Sequence, residues 1–328
     1  NLPAAPPKKT VMLSAPQNET SPSLIVVTGG SFLLCLLILL TIFGAFFVYS
    51  AFLLNKNLRT RTNLFFLSLV TADVLFAVFA MPSEIVHFSC YPYWPLGEIG
   101  CNVWSSLYVA FGSASACHLC AIGIDRLLAV SRPFQYYSDV SFSVVVSLTL
   151  LWIFAFFSGI ASYHIWTQPY QNFCYAFNAP VESSILFMVF DLLVPFAICA
   201  LTYAKIFQIS QQQVRRIIRT QGWVNRETSA LRVSRKSAKT VGLLVGFFAL
   251  AFLPFLIFHA LDGFMVLPNR FYFDCFVKWL TFVNSSMNWL LYGYLNQEYR
   301  QALKKLLTDF GCFRCRSCRR EARQVDVI

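Results

Sequence analysis

Asp73, Glu84, Asp191 and Lys278 each interrupt a run of apolar residues, and each needs a chemical reason to be there. A charged side chain inside hydrocarbon costs several kcal/mol unless it is paired, and such groups mark functional positions. Asp73, in LVTADVLF, has Ser115, Asn284, Ser285 and Asn288 as the candidates at its depth to share a proton or counter-ion. A carboxylate among hydroxyl and amide oxygens suits a sodium ion. A hydrogen-bonded packing node without an ion is the competing reading. Asp191 belongs to a face repeating every four positions, Phe187, Asp191, Pro195, Cys199 and Tyr203. It lies roughly 10 Å below the outer end of its segment at 1.5 Å per residue. Neighbouring segments carry no Lys or Arg at that depth, so Asp191 reads as a contact for a ligand or as a protonated, internally bonded acid. Glu84 follows Asp73 by about three helical turns, and a Glu84–Lys278 ion pair across the interior would satisfy both. Tyr108, Phe111, Phe252, Phe255, His259, Trp279 and Phe282 add an aromatic lining, which together with Asp191 describes a mostly apolar pocket with few polar anchors. No paired catalytic carboxylates, nucleophile–base arrangement or phosphate loop accompanies these groups, so an enzyme is excluded.

The elements that must hold these residues are apolar and long. Of 328 residues, 57% are hydrophobic and 12% charged, more apolar surface than a soluble domain can hide. Seven spans, roughly 24–54, 59–86, 98–131, 140–165, 183–212, 231–264 and 270–295, each hold about 20 or more mostly apolar residues, the length a bilayer core requires. Continuous apolar runs favour helices over a barrel. The expected fold is an all-α membrane protein, a seven-transmembrane helix bundle over 24–295. A polar, Pro-rich tail precedes it at 1–23, and a short amphipathic cytoplasmic helix and tail follow at 296–328.

The net charge of +11 is unevenly placed. Lys56, Arg59 and Arg61 follow span one, Arg126 and Arg132 follow span three, and Arg215, Arg216, Arg219, Arg226, Arg232, Arg235, Lys236 and Lys239 surround the connection from span five to span six. More basic residues follow span seven, whereas the opposite side has Lys8, Lys9, Arg270 and little else. The positive-inside rule puts the N-terminus outside and the C-terminus in the cytoplasm of a multi-pass plasma-membrane protein. Lipid headgroups, not nucleic acid, are the anion expected for juxtamembrane basic runs. No cleavable signal peptide is expected; span one would act as its own signal anchor. An Asn in place of an initial Met implies a few missing residues.

Asn18-Glu19-Thr20 is a glycosylation sequon in the outer tail. Near the outer surface lie Cys90, Cys101, Cys174 and Cys275. A Cys101–Cys174 disulfide would pin the loop before span five over the mouth of the bundle, and a second bridge between Cys90 and Cys275 is left open by spacing. Cys312, Cys315 and Cys318, among Arg residues after NQEYRQALKKLL, suit S-palmitoylation. Zinc is the alternative for that triplet, but no His accompanies it.

In their order and spacing, Asp73, Cys101, the Asp125-Arg126 pair of IDRLLAV, Trp152, Pro195, Tyr203, Phe248, Pro254, Asn288 and Tyr292 resemble a rhodopsin-like (class A) G protein-coupled receptor across all spans. SASACHLCAIGIDRLLAV, KSAKTVGLLVGFFALAFLPFLI and FVNSSMNWLLYGYLNQEYRQALKKLL are most similar to trace amine-associated and related biogenic-amine receptors. The resemblance implies a small-molecule ligand, possible sodium near Asp73 but no other cofactor, and a heterotrimeric G protein. It also implies roles: Arg126, beside Asp125, meets the G protein, Tyr203 and Tyr292 bracket it, and Phe134 inserts into the partner. The chain departs from that pattern at Tyr108, where amine receptors hold the ligand with an Asp, and at Ala45, Leu127, Phe252 and Trp289. Asp191 is the relocated anionic anchor these departures leave. A receptor for a non-amine ligand, or a receptor-fold scaffold or dimer partner, is the alternative. A transporter is disfavoured because the halves show no internal repeat.

Overall fold

The computed structural model describes residues 22–131, 141–165, 174, 189–221, 243, 246–258, 270–295, 299–302 and 304–305. Among these residues every long element is a helix. They are α1 (Leu24–Leu54), α2 (Arg61–Cys90), α3 (Gly97–Ser131), α4 (Ser141–Ile165), α5 (Val194–Gln221, entered through a π-turn at Val189–Leu193), α6 (Gly246–Phe258) and α7 (Arg270–Leu295). Helices α1 to α5 are long and apolar enough to cross a bilayer. Helix α6 is described over a shorter apolar stretch. Helix α7, with 26 residues, is about 39 Å long at 1.5 Å per residue and also has the reach. The result is a helical membrane bundle.

Sequence limits differ from these in places. Span two runs on past 86 to Cys90, because Phe88 packs with Tyr91, Phe271 and Cys275 in an apolar cluster that continues the helix outward. It begins after a 3-10 turn, Lys56–Leu58, with Thr60 as the cap that accepts from the Asn63 N–H. Span two also contains a π-turn, Phe76–Ala80, just before Pro82. One extra residue in that turn rotates the outer segment relative to the inner one, and helices commonly carry such turns at functional sites.

Burial follows helical periodicity. Leu34, Leu37, Thr41, Gly44, Ala45, Val48 and Ala51 form the inner stripe of α1, while Phe32, Leu36, Leu39, Phe43 and Phe46 face outward as lipid-exposed residues do. Helix α3 is buried along most of its length and packs on α2, α4 and α5; α1 packs on α2 and α7. Two glycines set close approaches. A Cβ on Gly159 of α4 would fall 2.8 Å from the Ser106 carbonyl oxygen on α3. At Gly44 a Cβ would meet the indole of Trp289 at 2.1 Å. Small residues at helix contacts permit this packing where no hydrophobic force drives helices together. Gly44 thus makes room for the Trp that stands in α7.

Candidate ligand pocket and coupling end

In the outer half of the bundle the Cys101–Cys174 disulfide packs with Trp94 and Trp104. Cys90 and Cys275 are both free thiols, so the second bridge left open by the sequence is not formed. The reason is placement: Cys275 is buried among Phe88, Tyr91 and Phe271, whereas Cys90 is exposed.

Beneath the disulfide, Tyr108 takes the place where the resemblance expects an aspartate. Its hydroxyl hydrogen-bonds the Thr281 hydroxyl at 2.9 Å, and its ring lies edge-on to Phe76 and Phe282 and stacks on Phe255. Thr281 in turn donates to the Lys278 carbonyl at 2.7 Å, so Tyr108 must be the donor in their pair. A neutral, fully engaged phenol in an aromatic cage offers no charge to a ligand. Phe252 lies one turn inward, against Phe248.

Lys278 is fully buried and faces two carboxylates. Asp274 is the nearer at 2.5 Å and Glu84 lies at 3.8 Å, with the Trp104 ring 5.1 Å from the ammonium. The expected Glu84–Lys278 pair is therefore present but subordinate. Asp274, four residues before Lys278 and so on the same helical face, is the partner that spacing alone could have revealed.

Asp191 stands apart from this group. Ser113 donates to its Oδ1 at 2.6 Å and Ser158 donates to the same oxygen. Asp191, Pro195 and Cys199 are all buried, as their four-residue spacing requires, and Tyr203 is half-buried. Ser113 follows Tyr108 by five residues, about 7.5 Å along α3. The carboxylate and the aromatic cage thus line successive levels of the same helix. No cation pairs with Asp191 among the described residues. Neither serine stood out in the sequence, because a hydroxyl in a membrane helix usually bonds its own backbone.

Deeper, Asn288 donates to Asp73 Oδ2 at 3.0 Å. Asp73 Oδ1, the Ser115 hydroxyl and the Asn284 amide are buried without hydrogen-bond partners, an orphaned oxygen-rich group that fits a small hard cation.

At the inner end, both oxygens of Asp125 are taken by the start of α2. Thr62 donates to Oδ2 at 2.5 Å, and Arg61 Nε lies 2.9 Å from Oδ1, an ion pair too bent to count as a hydrogen bond. Nothing in the sequence signalled that Arg61, at the start of α2, would reach Asp125. Tyr292 donates to Asn63 Oδ1 at 2.7 Å and stacks on Phe66.

A family model described as 7 transmembrane receptor (rhodopsin family) matches residues 44–292. The chain belongs to the rhodopsin family of seven-transmembrane receptors. It is 30% identical over 310 residues to the histamine H2 receptor of Canis lupus familiaris, covering 90% of this chain and 82% of that one. It is 32% identical over 296 residues to trace amine-associated receptor 9 of Rattus norvegicus, covering 86% and 87%. The same receptor of Mus musculus is 31% identical over 287 residues, covering 82% of each chain. This rhodopsin-family receptor is therefore not an enzyme, and its relatives are named for amines. Phe187, His259, Phe134, Asn18, Cys312, Cys315 and Cys318 lie outside the described residues.

Proposed function

We propose that the protein is a plasma-membrane receptor, N-terminus outside, that binds a small organic amine among the outer halves of its helices and activates a heterotrimeric G protein. Asp191 is the counter-ion for the ligand ammonium, Ser113 and Ser158 fix its orientation, and Tyr108, Phe255 and Phe282 supply apolar contact with Phe187, Phe252 and His259. Glu84 is neutralised by Lys278 and is not the anchor. The observation that carries this reading is a buried carboxylate held by two hydroxyls and left without a cation among the described residues. The similarity to a histamine receptor and to a trace amine-associated receptor supports the same ligand class. Arg126, Tyr203, Tyr292 and Phe134 form the G protein surface, sodium at Asp73, Ser115, Asn284 and Asn288 favours the resting state, and palmitoylated Cys312, Cys315 and Cys318 hold the tail to lipid.

Second-messenger output of cells expressing the receptor, challenged with a panel of mono- and diamines, tests this. Truncating one partner of a desolvated charge pair costs about 2–5 kcal/mol. Asp191→Asn keeps the shape and the serine bonds, so it should weaken an active amine at least tenfold with surface expression preserved. Equal potency in Asp191→Asn and collapse in Glu84→Gln would move the anchor to α2. Indifference to both would exclude an amine.

A further inference from the structure

Glu84, His87 and Cys275 converge at the outer ends of α2 and α7, and apart from the Glu84–Lys278 ion pair at 3.8 Å the pocket described above gives them no role. Each offers one donor atom, and these atoms all lie within 4.8 Å of one another. Glu84 and His87 are three residues apart on α2, hence on one face, and Cys275 approaches from α7. All are buried: Glu84 is 0% exposed, His87 5% and Cys275 2%.

Their unmet bonding is the second observation. His87 Nδ1 is buried without a hydrogen-bond partner, and Glu84 has only the longer Lys278 ion pair at 3.8 Å rather than a close hydrogen bond. The His87 ring hydrogen-bonds the backbone of Cys174, which fixes the ring while leaving Nδ1 as a lone-pair donor. Metal-binding histidines are held in this way, through the other ring nitrogen. Around the group stand Trp94, Trp104, Tyr91 and Phe271, an apolar wall that excludes competing water.

We propose that Glu84, His87 and Cys275 form a zinc site clamping α2 to α7 beneath the Cys101–Cys174 bridge, with the fourth position left to water or an outside donor. One sulfur, one nitrogen and one oxygen is a mixture Zn²⁺ accepts and Ca²⁺ or Mg²⁺ does not. Tetrahedral ligands at zinc are about 3.5 Å apart given bond lengths near 2.1 Å, so small side-chain rotations close the site. Binding converts the Cys275 thiol to thiolate and releases its proton to solvent. Zn²⁺ then balances Glu84, Asp274 and thiolate together with Lys278, two and one positive against three negative.

Co²⁺ is the probe, added to full-length receptor purified in detergent after chelator washing. One Co²⁺ per receptor should bind, with a thiolate charge-transfer band and tetrahedral d–d bands that Zn²⁺ abolishes. Cys275→Ser should remove the charge-transfer band, and His87→Gln should weaken Co²⁺ at least tenfold. Should these variants fold poorly, the wild-type chain still decides. Zn²⁺ should slow alkylation of Cys275 and leave that of exposed Cys90 unchanged, read by mass spectrometry. A band that survives in Cys275→Ser, or disappears in Cys90→Ser, overturns the site. Equal alkylation of Cys275 with and without Zn²⁺ overturns it too. No agonist enters these measurements, so they stand apart from the amine reading.

Discussion

Replacing Arg61 by Met asks who owns Asp125. The Arg61 Nε to Asp125 Oδ1 separation is 2.9 Å, with the arginine side chain 17% exposed and the aspartate 1%. At an effective dielectric of about 20 the direct attraction is about 6 kcal/mol. Desolvation and the bent geometry consume most of that, leaving about 1.5–3 kcal/mol for a charge-assisted contact. In Arg61→Met, Asp125 keeps Thr62 but loses the Arg61 ion pair, and half-buried Arg126, next in sequence, is the cation expected to take its place. An Arg126 held by Asp125 is withdrawn from the G protein surface proposed above. A bias of about 1.4 kcal/mol is tenfold in a two-state equilibrium. Ligand-free second-messenger output per surface receptor should therefore fall tenfold or more in Arg61→Met, and Arg61→Lys should retain much of it. The assay is output against expression level, with surface density measured by an N-terminal tag. Basal output that is unchanged, or that rises, would mean Asp125 does not choose between the two arginines.

Three further outcomes are expected. Cys101→Ala and Cys174→Ala should each sharply reduce surface expression, because the bridge closes a 73-residue separation worth about 4 kcal/mol; the double variant should be no worse than either single one. Gly44→Val should lower thermal stability by about 1–3 kcal/mol through overpacking against Trp289, and Trp289→Ala in the same chain should return most of it, read as a double-mutant cycle in detergent melting. Tyr292→Phe leaves Asn63 Oδ1 without its donor, so stability should drop by about 1–3 kcal/mol, whereas Tyr203→Phe should leave melting unchanged.

Helix positions were legible because a bilayer forces long apolar runs, and the inward face of α5 because Asp191, Pro195 and Cys199 recur every four residues. The π-turn at Phe76–Ala80 was not legible: FAVFA has no Pro or Gly, and Pro82 lies beyond it. Pairing was the harder part. Glu84 and Lys278 were matched by depth, yet Asp274 is the closer partner, since an i to i+4 neighbour needs no second helix to arrive. Arg61 reaching Asp125 depends on how α2 begins, a matter of the Lys56–Leu58 turn and the Thr60 cap. Ser113 and Ser158 became visible only once α3, α4 and α5 were placed side by side. The departure at Trp289 makes sense only against Gly44.

That same Trp leaves α7 without a proline, and the helix runs unbroken from Arg270 to Leu295. A helix without a hinge behaves as a stiff lever: it cannot bend in the middle to let its two ends move separately. Lys278 and Tyr292 are about 21 Å apart along this rod. A tilt of about three degrees at one end then shifts the other by roughly 1 Å over that length. Whatever grips α7 near Cys275 and Lys278 is thereby carried as rigid-body motion toward Tyr292, where the Trp289–Gly44 contact holds the rod against α1.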